Sequence, residues 1–340
     1  MPKDKKRKAS QKQEDRTPDS TERNQRESRT GLVIIASVII VIILAILGIG
    51  YYLNYVAPFQ RTIITVDDIT INMDYFLKRT QLAGANSMVM LEQLTKEQVI
   101  KLEASHYGIE VSPEDIDQEL RRIARGESEN ITENEFKEWY RQQLNETKLS
   151  NAEFREITTI NFIANRLQQY LGERMPTIAQ QIHLNAIIVA TEEEAQKIRA
   201  RWEKGEKFAD LARAVSLDNQ SKEKGGDLGW FPRGILPPQL DYNAFNLSTD
   251  NVSEPIAYNT SNQSSTEPVY IYFLLMVSEK ADARALDENP LQVLKDRVLD
   301  TWYPEALQRH QINYNFNSEV DAWINWQLAK KRGSQSPSPQ

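Results

Sequence analysis

The residue types that carry most protein chemistry are scarce in this 340-residue chain. It has no cysteine, which removes disulfides, thiolate nucleophiles and cysteine-bound zinc together. Its three histidines, His106, His183 and His310, are far apart in sequence. No HExxH, no P-loop and no GxGxxG ahead of a helix occurs, so metal, nucleotide and dinucleotide readings have no motif. No cofactor is implied. The segment that stands out instead is KGGDLGWFPRG, residues 224–234. Glycines, a proline, an aspartate and two aromatics in eleven residues are too punctuated for a helix and too rigid for a plain linker.

The elements that would hold such a segment are set by charge and hydrophobicity. The composition, 40% hydrophobic and 26% charged, is that of a folded protein, and the length is that of about two domains. Residues 1–30 hold ten Lys/Arg and six acidic residues, a net +4 against −7 for the whole chain, so the remainder carries −11. That acidic bulk argues against a nucleic-acid partner. From Thr30 to Gln60 no residue is charged, and Leu32–Tyr55 reads LVIIASVIIVIILAILGIGYYLNY. About 20 apolar residues span a bilayer core. This run is too long for a cleaved signal and closes on tyrosines suited to an interface, so residues 31–55 are expected to be a transmembrane helix. The basic flank precedes it, which places the N-terminus in the cytoplasm and residues 56–340 outside. Residues 1–30 have almost no apolar content and are expected to be a disordered tail.

After the span, Thr62–Asn72 is β-rich and reads as a strand or hairpin. A helical pattern then runs to about residue 173. Thr95–Gln98, Thr132–Glu135 and Ser150–Glu153 fit capping boxes, and Ser112-Pro113 places a cap before a first-turn proline. Phe136, Trp139 and Tyr140, then Phe154, Ile157, Ile160 and Ile163, follow at helical spacing and read as a buried face. Gln181–Ala190 is strand-like, Thr191–Glu194 caps a helix that Gly205 interrupts, and Phe208 to Val215 gives a second helical face. Beyond residues 224–234 come a short helix around Leu240–Phe245, a candidate strand at Val252–Ile256 and a closing strand, Val269–Val277. A helix resumes from Pro290, and Val320–Lys330 is helix-like after the strand-like INYNF. The order implies an α+β unit, a small antiparallel sheet flanked by helices, inserted in a mostly helical domain. The expected divisions are 60–178 and 285–330 for the helical domain, 179–280 for the α+β unit and 331–340 for a disordered tail.

The order IIVATEEEAQKI, GEKFADLARAVSLD, KGGDLGWFPRG, LPPQLDYNAF, VSEPI and a closing strand resembles a parvulin-type peptidyl-prolyl cis-trans isomerase domain. The rest of the exported part resembles, more faintly, the helical chaperone domain of PrsA-like foldases and SurA-like chaperones. The resemblance implies a membrane-anchored foldase acting on unfolded, proline-containing exported polypeptides. It places Leu228, Leu236, Leu240 and Phe245 in the wall of an apolar proline pocket, with Trp230 and Phe231 bracing it. The family's two floor histidines fall on Ala186 and Phe273, so both are replaced here. A third position, Cys or Asp in the family, falls on Asp218, which is the candidate catalytic residue; an aspartate there also suits a turn. His183 lies three residues from Ala186 and should point to the opposite face of its strand. Two readings stand side by side: an isomerase working from an apolar site, and a catalytically silent parvulin fold that grips clients as a chaperone.

Overall fold

The computed structural model describes residues 37–261 and 268–333. The expected tail 1–30, residues 334–340 of the expected tail 331–340, and the first part of the apolar span lie outside the described residues. Helix α1 runs Ser37–Gln60; its apolar side chains from Val38 to Tyr55 are exposed, and residues 56–59 are half-buried. It continues five residues past the expected end at Tyr55, with no charged residue before Arg61. Pro58 has no N–H to give to the turn below, and the helix accommodates it by widening into a π-turn over Tyr52–Val56, with the Ala57 N–H reaching the Tyr52 carbonyl.

The described residues divide into two compact units, one comprising 37–64, 70–81 and 314–333, the other 65–69 and 82–313. Strands β1 (Thr62–Val66) and β2 (Ile69–Asn72) form the expected hairpin around Asp67, whose φ of 50° is the left-handed geometry a two-residue turn demands. With β7 (Ile312–Tyr314) they make a sheet of order β2-β1-β7. In the first unit, helix α2 (Met73–Ala83) buries Met73, Phe76 and Leu77, and Trp323 of the C-terminal helix Ser318–Gly333 meets Phe59 edge to face. That C-terminal helix includes residues 331–333, which the sequence assigned to a disordered tail.

In the second unit the helices are α3 (Ser87–Ala104), α4 (Pro113–Arg125), α5 (Glu133–Thr147) and α6 (Asn151–Glu173). Ser112, Thr132 and Ser150 each cap as expected: the hydroxyl accepts the N–H three residues on, and that residue's carboxylate accepts the cap's own N–H. Thr95 does not. Helix α3 starts earlier, where the Asn86 side chain accepts the Val89 N–H, and its apolar face runs through residue 95. The Thr95 hydroxyl instead donates to the Leu91 carbonyl inside the helix. Helix α5 also departs from expectation, since none of its residues is buried. Phe136, Trp139 and Tyr140 pack on one another and on Phe154 at half-burial, with the Arg121 guanidinium over Phe136. The helical core proper joins Ile100 of α3 and Ile163 and Leu167 of α6 to Leu299 of a helix that comes after the α+β unit. The Trp302 indole N–H donates to the Tyr107 hydroxyl across the same seam at 2.8 Å. Chain segments on both sides of the α+β unit therefore build one core.

The α+β unit leaves and re-enters that core at one place: Ile178 pairs with Ala285, and the Leu286 N–H donates to the Thr177 carbonyl. Its antiparallel sheet has the order β4-β3-β6-β5, from β3 (Ile178–Val189), β4 (Asp227–Pro232), β5 (Ile256–Asn259) and β6 (Tyr270–Ala285). Strand alternation gives it two apolar faces. Ile187 and Val189 pack under helices Glu192–Glu203 and Phe208–Val215. Ile182, Leu184 and Ala186 face the other way, under the helix Pro238–Asn246. The expected strand at 252–256 lies instead at Ile256–Asn259; Val252 makes only a single bridge, to Met276.

Candidate functional site

The segment 224–234 is a tight turn feeding an edge strand. Gly225 and Gly226 have φ of 75° and 84°, where a side chain is strained. A Cβ on Gly226 would lie 2.5 Å from the Ala186 carbonyl oxygen, and one on Gly225 would lie 2.7 Å from the Ala209 Cβ. The close approach has a use: the Gly226 carbonyl accepts the Ala186 N–H at 2.8 Å, and the Gly226 N–H donates to the Ser221 carbonyl. The glycine pair thus pins the turn to Ala186 of strand β3. Strand β4 then pairs with β3 from Asp227 to Pro232, and the proline, which has no N–H to offer a ladder, falls at the strand's end on a sheet edge.

The expected pocket residues do not all meet. Leu240 and Phe245 are buried at 5% and 6% exposure, and Leu236 packs on the same cluster half-buried. Ala186 belongs to that cluster, and Phe231 and Phe273 pack against it. Leu228 does not join them. The β3–β4 register slips between Asn185↔Asp227 and Leu184↔Gly229, leaving Leu228 unpaired in a bulge at 36% exposure. Trp230 and Phe231, both expected to brace the wall, are split by strand alternation. Phe231 packs on the cluster, whereas Trp230 stacks edge-on against His183, its register partner, under the Arg284 guanidinium. His183 is thus turned away from Ala186. Its Nδ1 shares a hydrogen bond with the Ser278 hydroxyl at 2.9 Å, and its Nε2 lies 3.5 Å from Asp227.

Asp218 is committed to its own turn. One carboxylate oxygen accepts the Ser221 hydroxyl and the other the Gln220 N–H, while the Asp218 carbonyl accepts the Lys222 N–H. The Ser221 hydrogen bond, helped by backbone N–H groups of Gln220 and Ser221, holds the Asp218 carboxyl below the ordinary aspartate range against the opposing effect of burial. It is therefore an ionised hydrogen-bond acceptor at neutral pH and carries no proton to give. The apolar face is not without charge at its rim. The Arg233 guanidinium lies 4.2 Å from the Phe245 ring centroid, and the Lys280 ammonium donates to the Phe245 carbonyl. The sequence reading missed both cations, and it missed Tyr258, which packs edge to face on Phe273 at 5.8 Å. A separate cavity of about 290 Å³ lies on the other face, lined among others by Val189, Ile198, Val215 and Leu217.

Two of the three histidines, remote in sequence, converge elsewhere. His310 Nε2 lies 3.1 Å from buried Glu103, which Arg309 grips with two N–H groups, and His106 Nδ1 lies 3.6 Å away. His310 Nδ1 reaches Asp67 at 2.7 Å, and the Gln311 N–H donates to the same carboxylate. This network ties the Asp67 turn to the helical core.

Comparison with known proteins bears on the α+β unit first. The family model of the rotamase, PPIC-type PPIase domain, matches residues 178–264. The foldase protein PrsA of Halalkalibacterium halodurans is 25% identical over 225 residues, covering 62% of this chain and 61% of that protein. The foldase protein PrsA of Caldanaerobacter subterraneus is 29% identical over 168 residues, covering 49% of this chain and 52% of that one. The chain thus spans less than two thirds of the length of these relatives. A crystal structure of peptidylprolyl isomerase (PrsA) from Bacillus anthracis, 21% identical, covers 73% of this chain and 100% of its own, with a TM-score of 0.36. The α+β unit is a parvulin domain of the PPIC type. The chain that carries it is similar in sequence to these PrsA foldases over 168–225 residues.

Proposed function

We propose that this protein is a membrane-anchored foldase that accelerates cis-trans isomerisation of X–Pro bonds in unfolded, exported polypeptides. The observation that carries the reading is a PPIC-type domain whose apolar face sets Ala186 and Phe273, the two replaced floor positions, in one cluster with Leu236, Leu240 and Phe245. Rotation about an X–Pro amide has a barrier of about 20 kcal/mol and breaks no bond. A catalyst needs only to hold the ring and favour the twisted amide over both planar forms. Leu236, Phe231 and Phe273 offer half-exposed apolar surface for the ring, over a floor of buried Leu240 and Phe245. Leu228 forms an outer lip, and Asp218 acts by holding the turn that fixes Ala186. In this reading residues 31–55 begin the anchor, 1–30 lie in the cytoplasm and 179–280 are the isomerase. Residues 60–178 and 285–330 form the client-holding helical domain.

A second reading, a silent parvulin fold that only grips clients, draws on the half-exposed aromatic cluster of α5 and on the lost histidines. The two are separated by exchange spectroscopy on short X–Pro peptides with the full chain in detergent micelles. The isomerase reading predicts faster cis-trans exchange, reduced in Leu236→Ala. Broadened proline resonances without faster exchange would replace it with the gripping reading, and neither effect would sink both.

A further inference from the structure

Catalysis from an apolar face leaves one need unmet. As an X–Pro amide twists, conjugation is lost and the nitrogen gains a lone pair. A hydrogen-bond donor placed at that nitrogen has no partner in the planar forms and one in the twisted form, so it stabilises the transition state alone. The aliphatic and phenyl side chains of the face offer no donor. Neither does Asp218, which is held ionised.

Tyr258 is the one side chain packed within the cluster that carries a hydrogen-bonding group; at its rim Arg233 lies over the Phe245 ring and Lys280 donates to the Phe245 carbonyl. It sits on edge strand β5 two residues after Ile256, and so on the same face as that buried residue. Ile256 pairs with Phe273, and the Tyr258 ring meets the Phe273 ring edge to face at 5.8 Å and 81°. The ring is half-buried, and among the described residues its hydroxyl has no hydrogen-bond partner. An aromatic body seated in the apolar face with an uncommitted O–H is suited to a ligand that brings its own acceptor.

We infer that Tyr258 is a catalytic residue of this site: its hydroxyl donates to the imide nitrogen of a proline seated against Phe273 as the amide twists. No proton is transferred and no bond is broken; the hydrogen bond forms on the way up the barrier and is released on the way down. The inference rests on the isomerase reading above. It also gives a role to the sheet edge at Ile256–Asn259, beyond the strand expected at 252–256.

The test is steady-state isomerisation of an Ala–Pro peptide by the full chain in detergent micelles, comparing wild type, Tyr258→Phe and Leu236→Ala. Tyr258→Phe keeps the ring and its contact with Phe273 and deletes only the hydroxyl. It should lower kcat about fivefold, the effect of one neutral hydrogen bond, with KM unchanged. Leu236→Ala, which trims the binding surface, should raise KM instead. A Tyr258→Phe variant with wild-type kcat, or with only KM raised, would overturn the assignment while leaving the isomerase reading intact. A wild-type chain that accelerates no proline peptide would remove both.

Discussion

Replacing Gly226 by alanine tests how the Gly-Gly turn shapes the site, because two separable costs meet at one position. The first is conformational: at φ 84° a Cβ is strained by about 1–2 kcal/mol. The second is contact: that Cβ would lie 2.5 Å from the Ala186 carbonyl oxygen and 3.1 Å from the Ala212 Cβ. The first neighbour is backbone in the central strand β3 and cannot swing aside, so the turn must move. Such overpacking costs about 1–3 kcal/mol more. Gly205 supplies the control. Its φ is 97° and nothing lies within 4 Å of its added Cβ, so Gly205→Ala carries the first cost only. The expected difference between the variants is the contact cost, about 1–3 kcal/mol. At about 4–8 °C per kcal/mol for a domain of this size, the Gly226 variant should melt roughly 4–24 °C below the Gly205 variant. Thermal unfolding of the full chain followed by tryptophan fluorescence measures this, and hydrogen exchange localises it, since the Ala186 amide donates to the Gly226 carbonyl. Protection at Ala186 should fall in Gly226→Ala and hold in Gly205→Ala. Equal melting of the two variants, with Ala186 protection unchanged, would refute the claim that the glycine pair is dictated by contact with the strand.

Three further outcomes follow from the structure. Arg309 depresses the Glu103 carboxyl below its ordinary range, chiefly through its hydrogen bond. The stability this contributes should be fully present above about pH 4.3 and be lost as pH falls through the lower folded value. Acid unfolding should show that dependence in the wild type and a flatter one in Arg309→Gln. Leu240→Ala opens a cavity under the apolar face and should cost about 2–5 kcal/mol in urea unfolding. Asp218→Ala removes the acceptor of the Ser221 and Gln220 hydrogen bonds and should cost about 1 kcal/mol, while Asp218→Asn, which retains an acceptor oxygen, should keep the peptide exchange rate.

Much of the local architecture was legible in the sequence where one short-range cause decides it. The boxes at Thr132, Ser150 and Thr191 form because hydroxyl and carboxylate sit three residues apart at true helix starts. The same spacing at Thr95–Gln98 misled, because Asn86, nine residues earlier, had already started a helix whose apolar face continues through it. At the site, the residue list gave the cluster of Leu236, Leu240, Phe245, Ala186 and Phe273. It did not give their facing. A one-residue bulge at Leu228 and the alternation that separates Trp230 from Phe231 depend on pairing with β3, which is set by residues some forty positions away. Tyr258 was missed because β5 begins where the expected strand ends. His106 is three residues from Glu103, but the arrival of His310 at the same carboxylate is long-range and has no sequence signal.

The most direct test of the account is where a bound proline sits. With methyl- and aromatic-labelled full chain in micelles, intermolecular nuclear Overhauser contacts from the proline ring of an X–Pro peptide should reach the Leu236 methyls and the Phe273 ring. Contacts instead to Val215 and Leu217, which line the cavity on the opposite face, would contradict the assignment of the apolar face as the proline site.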